Sequence, residues 1–545
     1  MTNADQPAAT GADTYAPPVP TSRPRERARD ACPGVLRTHA AADGALARLR
    51  LPGGILPAGA ARELAACARE LGDGCVELTS RGNVQLRGLV DGAAEVLATR
   101  ARRVGLLPSD THERIRNIIA SPLSGRSTAS QRDIAPLVGA LDRALCADPA
   151  LGALPGRILF TIDDGTGDMA ALPADLALRA LPADRMLLRV AGEPHALRLP
   201  ADAAIPALLA AAHAFLALAD ASTDATASTD ATASTDAASG PPAWRVAELR
   251  AGRDQLLSAA ALAVRQRAAD PPTTGVDTSG EPAEPIVEIV TDEGLAQATA
   301  ETDPAGGDAG AGPGARPGAH AQRDGRAALT ALVPLGRLSA DQLDLLAELA
   351  DTASDGQMVV TPHRMVVLRD LPPTATGPLG ERLAASGLVV DPQSGWVGVT
   401  SCAGRPGCAR ALADVRRDAA RAAAAPGRAR RQGLPVHWSG CARRCGRPAG
   451  EVVDVVAGES GYRVHGRSAT PAAGEPGIGF AWSGTPPRAL AGGELSAAAW
   501  TALCEELASA RTPVGSGALD GRVASVDRVA SVSQVASVSR VAEEE

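Results

Sequence analysis

The chain has 545 residues, a formal net charge of −8 and an apolar fraction of 45 %, carried by Ala, Val and Leu with only 2 % aromatics. Such a length supports two to four domains with buried cores, and the acidic balance leaves no overall nucleic-acid footprint. All 54 basic residues are arginine, because lysine is absent, so any anion this chain binds meets rigid guanidinium forks.

In chain order, residues 1–30 are polar and Pro-rich and read as a disordered tail, without the charged-then-apolar order of a secretory signal. Residues 31–115 read as a strand, a helix ("AARELAACARELG"), a hairpin and a second helix. The alternation of "VELTSRGNVQLRGL" is the hairpin signal, with Gly82-Asn83 at the turn. Residues 116–265 follow as an α/β segment, interrupted at 221–240 by a six-residue repeat of small polar residues that reads as a surface insert. The longest apolar run, "IPALLAAAHAFLALA" at 205–219, is too short and Ala-rich to span a bilayer. A cytoplasmic protein without a membrane segment is expected. Residues 266–325 read as a linker with one strand candidate at 286–290, 326–395 as a second strand–helix unit, and 396–515 as a cysteine-bearing segment. In the tail, 516–545, valine recurs every third residue, which matches neither strand nor helix period.

The two strand–helix units are copies. "GDGCVELTSRGNVQLRGL" (72–89) lies over "SDGQMVVTPHRMVVLRDL" (354–371) at a fixed offset of 282. Gly74 meets Gly356, Thr79 meets Thr361 and Arg87 meets Arg369, and the register persists at Gly54/Gly336 and Gly105/Gly387.

Of nine cysteines, four sit as C-x5-C (Cys402, Cys408) and C-x3-C (Cys441, Cys445). Close spacing in a cytoplasmic chain favours metal binding over disulfides. The ligand count suits a [4Fe–4S] cluster or a structural zinc. The unequal gaps make a poor pair of zinc knuckles and suit a larger cluster held by Gly-rich loops. Cys67, Cys75, Cys146 and Cys504 read as ordinary thiols.

This cysteine pattern, behind a duplicated unit whose first copy contains "LTSRGNVQLRG", resembles the nitrite/sulfite reductase superfamily. "ACPGVLR", "RNIIASPLSGR" (116–126), "LPGRILFTIDDGTGD" (154–168) and "SGCARRCGRP" resemble its precorrin-3B synthase branch, in cobalamin biosynthesis. The resemblance covers about residues 31–215 and 325–465. It implies an α+β fold of two ferredoxin-like half-domains related by internal duplication, plus two α/β flanking domains, the second carrying the [4Fe–4S] cluster on Cys402, Cys408, Cys441 and Cys445. Opposite Cys402 and Cys408 the first copy has "SPLSGR", with no thiol, so one cluster serves one site between the halves.

The superfamily binds tetrapyrroles decorated with carboxylates, which ask for cationic forks. Arg81 and Arg87 share strand parity with Asn83 and Gln85, so all four can project from one face, and Arg116, Arg126 and Arg157 lie in the other matched segments. In the superfamily, Arg81, Arg116 and Arg157 fall where reductases hold macrocycle carboxylates or the oxyanion. No catalytic residue is assigned. The second copy has His363 in place of Arg81; His363 or His437 has the donor type for a mononuclear iron, and neither is assigned as a ligand.

The implied activity is oxygen-dependent hydroxylation and lactone formation, converting precorrin-3A to precorrin-3B. No G-x-G-x-x-G fingerprint opens a helix after a strand, so electrons are expected from a separate ferredoxin or an NAD(P)H-dependent reductase. A second reading is a sirohaem-dependent sulfite or nitrite reductase, in which Cys445 would bridge the cluster and the sirohaem. A third is an iron–sulfur electron-transfer or zinc-stabilised binding protein, which would have no use for duplicated Arg-bearing hairpins. Reductases carry paired lysines on one active-site strand; here that stretch is "GRILFTID", with Leu159 at the second place. Thinned charge argues for a guest larger than sulfite or nitrite.

Overall fold

A computed structural model describes residues 30, 32–224, 243–249, 251–269, 287–291, 313–424, 434–448, 450–459 and 461–468. The expected tail up to residue 29, the insert from 225 on, most of the linker, residues 469–515 with Cys504, and the tail 516–545 lie outside them.

The first half-domain runs β1 (His39–Ala41), β2 (Gly44–Leu49), β3 (Ile55–Pro57), α1 (Ala58–Leu71), β4 (Cys75–Leu78), β5 (Val84–Leu89) and α2 (Ala93–Arg103). Alternation puts Ala47, Leu49, Val84 and Leu86 into the core beneath α1, so Arg48, Gln85 and Arg87 take the other face. The first flanking segment contributes β6 (Ile118–Ala120), α3 (Ala135–Ala147), β7 (Phe160–Asp163), β8 (Leu176–Leu181), β9 (Arg185–Val190) and β10 (Ala196–Pro200). It continues through α4 (Ala204–Asp224), α5 (Arg253–Ala269) and β11 (Glu288–Val290). Its six-stranded sheet has the order β11-β10-β9-β8-β7-β6, parallel across β6, β7 and β8. The strand expected at 286–290 is therefore the edge of this sheet rather than an island in a linker.

Helix α4 is longer than the apolar run suggested, and it reaches into the first residues expected to be insert. Its window Ala201–Ala219, with mean hydropathy 1.7, has the length and composition of a membrane span. Ala207, Leu208, Ala211 and Phe215 are nevertheless fully buried in the core shared with α5, as in the central helix of a packed domain.

The second half-domain repeats the first: β12 (Gly318–Ala321), β13 (Ala327–Leu332), β14 (Arg337–Ser339), α6 (Ala340–Ala353), β15 (Gln357–Val360), β16 (Met365–Leu371) and α7 (Thr376–Ala385). It begins at Gly318, earlier than the expected 326, because β12 is an edge strand, "GAHA", without apolar alternation. The last segment is a four-stranded sheet, β17 (Val399–Ser401), β18 (Val436–Ser439), β19 (Val452–Gly458) and β20 (Gly461–Ser468), with α8 (Val415–Ala424) packed on it.

The halves exchange strands. β3 pairs with β15, and β14 pairs with β4, so each five-stranded sheet ends on a strand from the other copy. α1 and α6 pack together, and one core contains residues of both halves. Glycines permit the close crossing: a Cβ on Gly54 (φ +72) would lie 2.0 Å from the Val360 carbonyl oxygen. Reciprocal exchange covers two sheet edges at once and fuses the copies into a single pseudo-twofold unit.

Candidate functional site

The parallel pairing of β17 and β18 delivers both cysteine loops to the same end of the last sheet. Cys402 follows β17 directly and donates its N–H to the Trp438 carbonyl at 2.9 Å. Gly440, just after β18, donates its N–H to Cys402 Sγ at 3.1 Å. The loops are tied again by Leu412 N–H to the Gly440 carbonyl at 2.8 Å, and a Cβ on Gly440 would come within 2.7 Å of the Ala411 Cβ. Cys408 and Cys441 cap their turns by accepting, through their carbonyls, the N–H groups of Ala411 (3.0 Å) and Arg444 (3.2 Å).

The four thiols converge. Burial pushes the Cys445 thiol up, and Cys402, Cys441 and Cys408 push it further. Zinc at about 2.3 Å from each thiolate would set the sulfurs ~3.8 Å apart. Among the described residues, no three of these sulfurs lie within 4.8 Å of one another, so they are not drawn up at zinc-cage spacing, and four cysteines are also the ligand count of a [4Fe–4S] cluster. Such a cluster, when bound, supplies one-electron transfer, and the Gly440 N–H aimed at a ligand sulfur is the kind of donor that tunes it. His437 is fully buried beside the loop, with Nε2 against the Cys445 carbonyl (3.2 Å) and Nδ1 against Thr400 Oγ1 (2.9 Å). Burial pushes its imidazole down to about 4, and both ring nitrogens are engaged, so neither is free for an iron. His363 is exposed at the tip of the second hairpin.

The hairpin of the first half-domain abuts these loops, because Arg87 Nη2 donates to the Gly407 carbonyl at 2.7 Å and Arg416 of α8 pairs with Glu77 of β4. On that half-domain Arg48, Arg50 and Arg81 gather. Arg50 is 2 % exposed, and among the described residues it donates only to main-chain carbonyls, those of Arg114 (3.2 Å) and Pro33 (3.3 Å), while its Nη1 has no partner. Burial, then the charge of Arg48, push its guanidinium down to about 9. Arg81 donates to the Gly156 carbonyl (3.4 Å), and burial followed by Arg245 push it down to about 10. Arg48 is held by Gln85 Oε1 at 2.8 Å. Among the described residues none of the three donates to a carboxylate.

A strap crosses this group. Asp30 accepts N–H groups from Cys32 (3.0 Å) and Gly156 (2.6 Å), and Glu113 accepts those of Val35 (2.6 Å) and Leu36 (2.9 Å).

The other expected residues have different positions. Asn83 is buried, accepting from Leu51 N–H at 2.9 Å and donating to Asn117 at 3.2 Å, so it holds the hairpin to the next segment. Gln85 bridges Arg48 and Glu77. Arg87 forms a fork with Asp43 (3.0 and 3.0 Å), Arg116 with Asp142 (2.6 and 2.8 Å) and Arg126 with Asp370 (2.8 and 2.6 Å). In those pairs the carboxylate already takes the place an external anion would fill. Arg157 is exposed and stacks over the Trp244 ring, 5.1 Å from its centroid. Arg48 and Arg50 were missed from sequence, although a signal existed: in "ARLRLPGG" their matched positions in the second copy are Thr330 and Leu332.

With this geometry in place, comparisons with known proteins agree on the scaffold. Residues 39–104 and 320–386 both match the family described as the nitrite/sulfite reductase ferredoxin-like half domain. The structure of the Mycobacterium tuberculosis NirA protein superposes with a TM-score of 0.51 at 18 % identity, over 78 % of this chain and 74 % of that one. The chain is thus an α+β protein of the nitrite/sulfite reductase fold, built on two ferredoxin-like half-domains. In sequence it is 25 % identical over 429 residues to the ferredoxin–nitrite reductase of Synechococcus elongatus, covering 75 % of each. To the chloroplastic ferredoxin–nitrite reductase of Arabidopsis thaliana it is 27 % identical over 154 residues, 27 % of this chain and 26 % of that protein. It therefore spans only about a quarter of the plant relatives it matches, 26 % and 22 % of their lengths.

Proposed function

We propose that this chain is a cytoplasmic iron–sulfur oxidoreductase acting on a carboxylate-bearing tetrapyrrole, of the precorrin-3B synthase type. Its reaction would be the oxygen-dependent conversion of precorrin-3A to precorrin-3B, with electrons from a separate ferredoxin or NAD(P)H-dependent reductase. The observation that carries the reading is the group of three guanidiniums without carboxylate partners, Arg48, Arg50 and Arg81, set against the half-domain that touches the four-cysteine loops. Peripheral acetate and propionate groups are the acceptors such forks suit.

Leu159 turns the reading from a reductase toward the synthase. It is buried with Ile119 and Met169, and Leu172 packs on them, so the stretch matched to the reductases' paired lysines has an apolar side chain at its second place. Arg157, at the first place, stacks over the Trp244 ring. A second reading, a sirohaem-dependent nitrite or sulfite reductase, is favoured by the names of the relatives above. The experiment is to purify the protein anaerobically, record its absorption spectrum and supply precorrin-3A, oxygen and a reductant. A broad iron–sulfur shoulder without macrocycle bands, together with precorrin-3B formation, supports the synthase. Sharp macrocycle bands and nitrite or sulfite turnover overturn it.

A further inference from the structure

The repeat predicts that the two hairpin turns superpose, and they do. Thr79 N–H to the Asn83 carbonyl (2.8 Å) and Gly82 N–H to the Thr79 carbonyl (3.2 Å) recur as Thr361 to Met365 (2.9 Å) and Arg364 to Thr361 (3.1 Å). The turn needs a left-handed residue at its third position. Gly82 supplies it at φ +64, but in the second copy the same place, φ +58, is taken by Arg364. The Cβ of any L-residue in this region is strained, and glycine, which has none, relieves it. The second copy makes the same exchange at Leu335 (φ +54, for Gly53) and Asp370 (φ +57, for Gly88), so what sets Arg364 apart is the surroundings of its side chain.

The surroundings are shaped around that side chain. Gly336 lies beneath it, and a Cβ there would come within 2.5 Å of Arg364 Cδ. At its far end, Nη2 stands 3.9 Å from where a Cβ on Gly446 would be, in the turn that carries the exposed Cys445. Among the described residues the guanidinium makes no hydrogen bond and no ion pair, although the residue is half-buried. Its one favourable charge is Glu77, whose oxygens are already taken by Gln85 and Arg416, and burial outweighs that attraction and pushes the guanidinium down. A five-donor cation therefore sits with empty acceptor positions between the second hairpin and the last cysteine turn.

We propose that Arg364 is a carboxylate-binding residue of the tetrapyrrole site, contributed by the second half-domain and holding one peripheral acid group of the macrocycle beside the Cys445 turn. This rests on the tetrapyrrole reading above and adds a contact from the side of the pseudo-twofold opposite to Arg48, Arg50 and Arg81. The first copy cannot make it, since Gly82 has no side chain.

The test uses the full chain with Arg364→Gly, Arg364→Asn and Arg364→Lys, titrated with uroporphyrin III and melted in parallel. Glycine and asparagine both accept the left-handed backbone. Expected are at least about tenfold weaker uroporphyrin binding for Gly and Asn, partial recovery for Lys, and melting temperatures equal to or above wild type for Gly. Iron and sulfide content stays at the wild-type level. Binding by Arg364→Gly within twofold of wild type overturns the inference and leaves the tetrapyrrole reading standing. A joint fall of affinity and melting temperature in both Gly and Asn variants overturns it too, by making Arg364 a folding residue. Wild-type protein that does not bind uroporphyrin III removes the tetrapyrrole reading itself, and the Arg364 assignment with it.

Discussion

The two half-domains share a backbone down to its irregularities and differ in the chemistry of one sheet face. Both have the bulge, between Ala45 and Ala47 in one and Ala327 and Leu329 in the other, and both pair in the same register, Arg48 opposite Gln85 and Thr330 opposite Val367. The core-facing residues of both join one hydrophobic core. On the opposite face the copies diverge. The first presents Arg48, Gln85 and Arg87; the second presents Ala328, Val359 and Val367, which are packed dry beneath Leu123 of the first flanking segment. One copy has kept a polar face while the other is packed against the flanking segment. The exception is Arg364, the one new cation of the second turn. In a duplicated fold, departures from the repeat locate the site better than the repeat itself.

The sharpest break in the comparison is at the cysteines, which only the second flanking segment carries. Serine at Cys402, Cys408, Cys441 or Cys445 should reduce bound iron and acid-labile sulfide to background, because an alkoxide is a poor ligand for iron–sulfur iron, while Cys146→Ser keeps both. Iron retained in Cys402→Ser would refute the ligand set. Next in size are changes to the arginine group of the first copy, of which Arg50→Leu writes in the second copy's residue, Leu332. Arg50→Leu and Arg81→Ala each remove a charge-assisted contact worth about 1.5–3 kcal/mol, so uroporphyrin III affinity should fall roughly ten- to a hundredfold, with Arg81→Lys between. Unchanged binding in both would take this face out of the site.

Smaller, and on stability alone, is the pair that joins the first flanking segment to the second half. Arg126→Met should cost about 1–3 kcal/mol in a urea titration at pH 7 and leave uroporphyrin affinity unchanged. The hydrogen bond from Arg126 holds the Asp370 carboxyl below its ordinary value. Its contribution is therefore complete above about pH 4, the unfolded value, and is lost as pH falls through the lower folded one. Wild type and Arg126→Met should converge at the acid end; a constant gap there would mean that packing, not charge, joins them. The smallest effect belongs to His363→Ala, the pseudo-twofold counterpart of Arg81. Because that imidazole is exposed, uroporphyrin affinity should change by less than about twofold; a tenfold loss would restore symmetry to the site.

Sequence alone determined the repeat at offset 282, the two hairpins and the two close pairs of cysteines. These are recorded locally, as strand alternation, the left-handed Gly82 of the first turn and short loops between strands. Tertiary structure alone decided that the halves exchange β3 and β14, since nothing within a three-residue strand says which edge it joins. It also decided which arginines are available. Arg87, Arg116 and Arg126 meet aspartates 44, 26 and 244 residues away, while Arg48 and Arg50 meet none among the described residues. Strand parity tells which face a guanidinium takes, but its readiness for an anion depends on whether the folded chain has already brought it a carboxylate.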